Sequence, residues 1–69
     1  MVNTGHVRGS EDPNVLLARV ERYLPSNYSA SVGEGRVIIE GEDVAGWTWD
    51  SYIVPRLASG LIFVDKVGE

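Results

Sequence analysis

Tyr28-Ser29-Ala30-Ser31-Val32-Gly33-Glu34-Gly35-Arg36-Val37-Ile38-Ile39-Glu40 is the stretch on which the fold turns. Tyr28, Ala30 and Val32 alternate with Ser29 and Ser31, the period of a strand buried on one face. Gly33-Glu34-Gly35 supplies the positive backbone angles that a tight hairpin needs. Arg36 to Glu40 reads as a second strand, short and rich in β-branched residues, ended by Gly41-Glu42-Asp43.

Upstream of the hairpin, Asp12 can cap a helix and Pro13 suits its first position. Leu16, Val20 and Leu24 recur every four residues with Leu17 beside them, one apolar stripe. Pro25 pushes Leu24 out of helical geometry, so the spacing predicts a helix over 13–24. Downstream, Thr48 is the expected cap of a second helix, with Asp50 at the positive end of its dipole. Trp47 then faces Tyr52 in the spacing of a hydrophobic staple. Trp49, Ile53 and Leu57 share the core face, and Gly60 is the expected C-terminal cap. Pro55 interrupts this helix and predicts a kink, or a short first turn followed by a second that Pro55 starts. Leu61 to Val67 reads as a third strand.

The expected fold is therefore α+β: a single small domain over 12–69 in the order α-β-β-α-β. Its three-stranded, mainly antiparallel sheet carries two helices packed on it. Residues 1–11, dominated by Asn, Thr, Gly and Ser, show no apolar period and read as a flexible N-terminal tail.

Composition narrows the function classes. A chain of 69 residues buries only about 60% of its unfolded surface, and such domains commonly add a disulfide, a metal or a second subunit. There is no cysteine and one histidine, His6, which excludes a zinc site of imidazole and thiolate. Packing or self-association remains. The net charge is −4, with one lysine and five scattered arginines, a poor match to nucleic-acid binding driven by counterion release. Glu40, Glu42, Asp43 and Asp50 follow one another with no base between them. They read as a solvated loop or as an acidic patch for a basic partner. The first ten residues lack the apolar stretch of a secretory signal, no membrane-length apolar run occurs, and a cytoplasmic location is expected.

No residue pattern points to catalysis. Ser51 and Ser59 lack a base at a recognisable spacing, and His6 is expected to have no ordered neighbours. Gly33-Glu34-Gly35 joins strands instead of opening a helix, so it is not a phosphate loop. The twelve-residue calcium-loop pattern is absent. No catalytic residue, metal ligand or cofactor is assigned.

The candidate contacts belong to a partner surface. Trp47 stands at the helix start or at an interface rim, and Tyr52 and Arg56 lie one turn apart, a pairing of types enriched in binding hot spots. Glu42 and Asp43 would form an acidic rim. Two helices on one face of three strands would leave Ile38 and a pair from the third strand bare, an apolar patch that marks a contact surface. Helices straddling the sheet would leave none. The reading that results is a noncatalytic protein-interaction module. The alternatives are a self-associating structural protein, a homodimer through the spare sheet face or a sheet edge, and a small DNA-associated regulator using Arg8, Arg19 and Arg22.

The run Asp43-Val44-Ala45-Gly46-Trp47-Thr48-Trp49-Asp50-Ser51-Tyr52-Ile53-Val54-Pro55-Arg56-Leu57-Ala58-Ser59-Gly60-Leu61-Ile62 resembles a segment in small uncharacterised proteins of actinobacteria and their bacteriophages. The resemblance implies a bacterial cytoplasm and a phage-encoded modulator that binds a host protein. It carries no activity and no functional residue.

Overall fold

The structure, a computed structural model, describes residues 2–67. The chain runs through β1 (Val2–Val7), α1 (Pro13–Glu21), β2 (Tyr28–Gly33), β3 (Arg36–Glu42), a wide helical turn (Trp49–Ile53), α2 (Val54–Ser59) and β4 (Val64–Val67). The four strands form one antiparallel sheet in the order β2-β3-β1-β4. The α+β class, the two helices and the β2–β3 hairpin are as the sequence predicts.

The N-terminal segment corrects the expected domain boundary and strand count. Instead of a tail it supplies β1, which pairs with both β3 and β4 at the centre of the sheet. Asn3, Gly5 and Val7 point into the core, while Thr4 and His6 point out. The inward residues include an amide and a glycine, so the apolar alternation that marks a strand is missing. Partners elsewhere in the fold, not local propensity, decide this strand.

The core lies on one face of the sheet. Val37, Ile39 and Tyr28 project from it to meet Leu16 and Val20 of α1, Trp49 and Ile53 of the wide turn, and Leu57 of α2. Two glycines make room for the aromatic rings. A β-carbon on Gly41 would stand 2.5 Å from Tyr28 Cγ, and one on Gly5 would overlap the Trp49 indole. Both rings thus lie flat on bare backbone, with centroids 6.0 Å apart.

Three boundaries differ from expectation. Helix α1 ends at Glu21, with Arg22 as its C-cap, because Tyr23 and Leu24 turn the chain toward β2. Pro55 is accommodated by widening the turn before it. The N–H groups of Ile53 and Val54 bond five residues back, to Thr48 and Trp49. In a regular helix the Pro55 ring would clash with the carbonyl of Ser51, four residues before it, and the wider turn removes that clash. Finally, Leu61 to Phe63 is not strand but helix exit. Gly60 is the C-cap, yet the left-handed residue is Leu61, at φ 63. The N–H of Leu61 bonds Ala58 O and that of Ile62 bonds Leu57 O, a Schellman closure. Gly60 is small for another reason: a β-carbon there would stand 2.5 Å from the Tyr23 hydroxyl.

The opposite face of the sheet is largely polar rather than apolar. The register sets Thr4 beside Glu40 and Ser29, and His6 beside Ile38, Ser31 and Asp65. Ile38 is half-buried there. Val64 pairs with Val7 on the core side, and Phe63, just before β4, is 48% exposed. The expected apolar remainder is interrupted, because β1 brings Thr4 and His6 to the outer face, where Val2 and Val67 are also exposed. Among the described residues no helix is long and apolar enough to cross a membrane.

Candidate functional site

The loop between β3 and the wide turn is built around two anchors. Val44 and Trp47 close a turn, with Trp47 N–H donating to Val44 O at 2.9 Å and Gly46 providing the left-handed angle, φ 85. Asn27, from the α1–β2 connection, fixes this turn from outside. Its Nδ2 donates to Glu42 O at 2.7 Å and to Trp47 O at 3.1 Å.

Thr48 caps the wide turn as predicted, accepting from Ser51 N–H. The staple forms too: Trp47 and Tyr52 stand with ring centroids 6.1 Å apart. From there the stack continues. The Arg56 guanidinium lies 5.7 Å from the Tyr52 centroid and 5.8 Å from that of Tyr23, and Arg56 Nε donates to Tyr23 O at 3.2 Å. Trp47, Tyr52, Arg56 and Tyr23 thus form one row across the helical layer, with Trp47 43% exposed. Tyr23 was not among the residues singled out from sequence. Its separation from Arg56 along the chain hides the contact, and only the C-terminal turn of α1 brings it over.

The acidic residues part company. Glu42 ends β3 opposite Val2 on the outer face and is exposed. Asp43 is exposed, and its carboxylate is also engaged from within the chain. Its Oδ1 accepts from the Tyr28 hydroxyl at 2.6 Å, from Trp49 N–H at 2.8 Å and from Asn3 Nδ2 at 3.1 Å. Asn3 Nδ2 also donates to the Tyr28 hydroxyl at 2.9 Å. The hydrogen bond from Tyr28 holds the Asp43 carboxyl below the usual carboxylate range, against the desolvation that opposes it. Burial, then the same bond to Asp43, pushes the Tyr28 hydroxyl up to about 12. Asp43 therefore ties β1, β2 and the wide turn together. Ile38 stands on the outer face, beyond the sheet from Trp47, and belongs to no common surface with it.

His6, expected to lack ordered neighbours, stands on β1 with its Nδ1 2.8 Å from Arg36 Nη1. Around it a groove of about 390 Å³ is lined by Arg8, Glu34, Arg36 and Asp65. Arg8 pairs with Asp65 at 3.0 Å, and Arg19 with Glu11 through both carboxylate oxygens at 2.8 and 2.7 Å. Protein-family models, curated proteins and solved structures give no match to this chain.

Proposed function

We propose that this chain is a noncatalytic protein-interaction module whose contact surface is the row Trp47, Tyr52, Arg56 and Tyr23. The observation that carries the reading is the stacking of that row. Tyr, Trp and Arg are the side chains that dominate binding energy at interfaces. Here they are held in place before any partner arrives, by the Thr48 cap, the Asn27 bonds and the Tyr23 carbonyl. Order established in advance lowers the entropic cost of association. The acid of the wide turn, Asp50, favours a partner with basic residues near its contact.

The DNA-associated reading draws less support. Of its three arginines, Arg8 and Arg19 are engaged by Asp65 and Glu11, which cancels their attraction for phosphate. If the resemblance to phage chains is followed, the partner is a host protein.

The test is affinity capture from an actinobacterial lysate with the wild type and with the Trp47→Ala/Arg56→Ala double variant. We expect a defined protein retained by the wild type and lost by a variant whose circular dichroism is unchanged. Equal retention by both, or by neither, would sink the proposal.

A further inference from the structure

Three of the five arginines are matched within the chain. Arg8 pairs with Asp65, Arg19 pairs with Glu11, and Arg36 donates to His6. Arg22 and Arg56 have no carboxylate within ion-pair distance among the described residues, although Asp and Glu outnumber Lys and Arg ten to six in the sequence. Both stand at the Tyr23 end of the row. Arg22 is the exposed C-cap of α1, one residue before Tyr23. Arg56 is exposed and bound to the Tyr23 carbonyl. Arg19 reaches the same corner, where its Nη2 donates to Gly60 O at 3.1 Å. The aromatic row therefore ends in a cationic corner on an acidic protein.

Arg56 is held in place with most of its donors unused. A guanidinium carries five N–H groups in one plane. The Nε–H goes to Tyr23 O, and the rings of Tyr52 and Tyr23 flank the group at 5.7 and 5.8 Å. The Nη donors have no acceptor among the described residues. Arginines near a helix end commonly serve the dipole of that helix. Arg56 lies in the last turn of α2, but its one bond runs to the carbonyl of another element and leaves the Nη edge open. A planar fork fixed in this way matches a carboxylate, which accepts two parallel bonds from it.

We infer that the partner of the Trp47 row is an acidic peptide segment, which sets an Asp or Glu carboxylate on the Nη edge of Arg56 and meets Arg22 as a second cation. The inference rests on the row being the contact surface. It adds the charge of what meets that surface at the Tyr23 end, opposite in sign to the base favoured at Asp50. Nucleic acid fits this corner less well. A phosphate backbone is held by many cations acting together, and here two are open on a chain of net charge −4. A single carboxylate needs only the one fork.

Nitrogen NMR of the full chain tests it, with hexaglutamate as the probe and hexalysine, inorganic phosphate and a short DNA duplex as controls. The signals read are the arginine Nε–H groups and the Trp47 indole N–H. Hexaglutamate is expected to shift Arg56 most, saturably, with Arg22 and Trp47 following and Arg8, Arg19 and Arg36 nearly still. Hexalysine should shift none of them. Arg56→Lys keeps the charge and loses the planar fork, so it should bind hexaglutamate about tenfold more weakly, while Arg36→Lys binds as the wild type does. Hexaglutamate should also displace the protein that the wild type retains from lysate. Equal shifts at all five arginines, an Arg56→Lys variant that binds like the wild type, or phosphate or duplex DNA that holds these residues more tightly overturns the inference. Capture that depends on Trp47 but ignores hexaglutamate overturns it too, and leaves the contact surface standing. Hexaglutamate bound at Arg56 with no protein captured supports the acid-binding fork and removes the lysate partner alone.

Discussion

The indole of Trp49 lies on Gly5 so closely that a β-carbon at residue 5 would stand 2.8 Å from Cζ2 and overlap the ring further out. The contact joins the central strand to the wide turn. It also explains how a segment with little apolar character comes to lie mid-sheet: its glycine is the floor on which the largest core side chain rests. Gly5→Ala should therefore cost about 1–3 kcal/mol by overpacking, a large part of the roughly 3–10 kcal/mol that a chain of this size can have. Urea unfolding measures it. Trp49→Phe removes the outer ring atoms, so in that background Gly5→Ala should cost less than it does alone. Equal costs in the two backgrounds would mean that the ring does not rest on Gly5.

Stability should fall at both ends of the pH scale through one pair, Asp43 at the acid end and the buried Tyr28 at the alkaline end. Asp43 titrates below its ordinary value in the folded chain, chiefly because Tyr28 donates to it. A carboxyl of this kind adds stability above its unfolded pKa, near 4, and loses it as pH drops through the lower folded value. Tyr28 is the reverse case, raised to about 12 by burial and by Asp43. Its contribution is whole below about pH 10 and is lost as pH climbs through the folded value. Asp43→Asn should flatten the acid limb of a stability–pH curve and lower the Tyr28 pKa, followed by the ring's carbon NMR shift. An unchanged acid limb in Asp43→Asn would show that the carboxylate is not linked to folding.

Two side chains occupy backbone angles that suit glycine or asparagine better. Leu61 closes the helix at φ 63 with 78% of its surface exposed, and Glu34 turns the hairpin at φ 55. A non-glycine residue in the left-handed region costs on the order of 1 kcal/mol, and Leu61 recovers little of it by burial. Leu61→Gly and Glu34→Asn should each raise stability, by about 0.5–1 kcal/mol, with an unchanged fold. Chemical denaturation of the single and double variants checks this, and the gains should add, since the two sites share no partner. A loss of stability in either would count against the geometry at that turn.

Where local rules act alone, the sequence was readable. Asp12 and Pro13 start α1, Thr48 starts the second helical segment, and Trp47 finds Tyr52 across it. Gly33-Glu34-Gly35 announces the hairpin, although the left-handed residues are Glu34 and Gly35 and not Gly33. Legibility stops where a residue's role depends on a distant partner. Asn3 looked like tail composition, yet its amide is satisfied by Tyr28 and Asp43, 25 and 40 residues away. Asp43 reads as part of a solvated acidic run and is exposed, but the sequence does not show that a backbone N–H and two side chains also converge on it. Leu61 to Phe63 read as strand because three consecutive apolar residues suit either a strand or a buried helix exit, and periodicity cannot separate them. Trp47, Tyr52 and Arg56 stack in one row, as their spacing along the chain allows. Tyr23 lies in another element, and its place beside Arg56 is a product of packing.

The last prediction concerns Asn27, which holds the exposed tryptophan without touching its ring. Its Nδ2 donates to two carbonyls, those of Glu42 and Trp47, while its Oδ1 is buried with no partner. Asn27→Ala removes both bonds and should cost about 1–3 kcal/mol, counting each at its net worth. Asn27→Asp should cost more despite its similar shape, because a carboxylate offers no donor and sets negative charge against two carbonyl oxygens. In both variants the Val44–Trp47 turn loses its outside anchor. Trp47 fluorescence, with the buried Trp49 as a fixed background, should therefore show greater depolarisation by fast motion. Partner capture should weaken as well, because the stack is no longer ordered before contact. An Asn27→Asp variant as stable as Asn27→Ala, with Trp47 no more mobile than in the wild type, would show that the turn holds itself and that Asn27 contributes nothing to the surface.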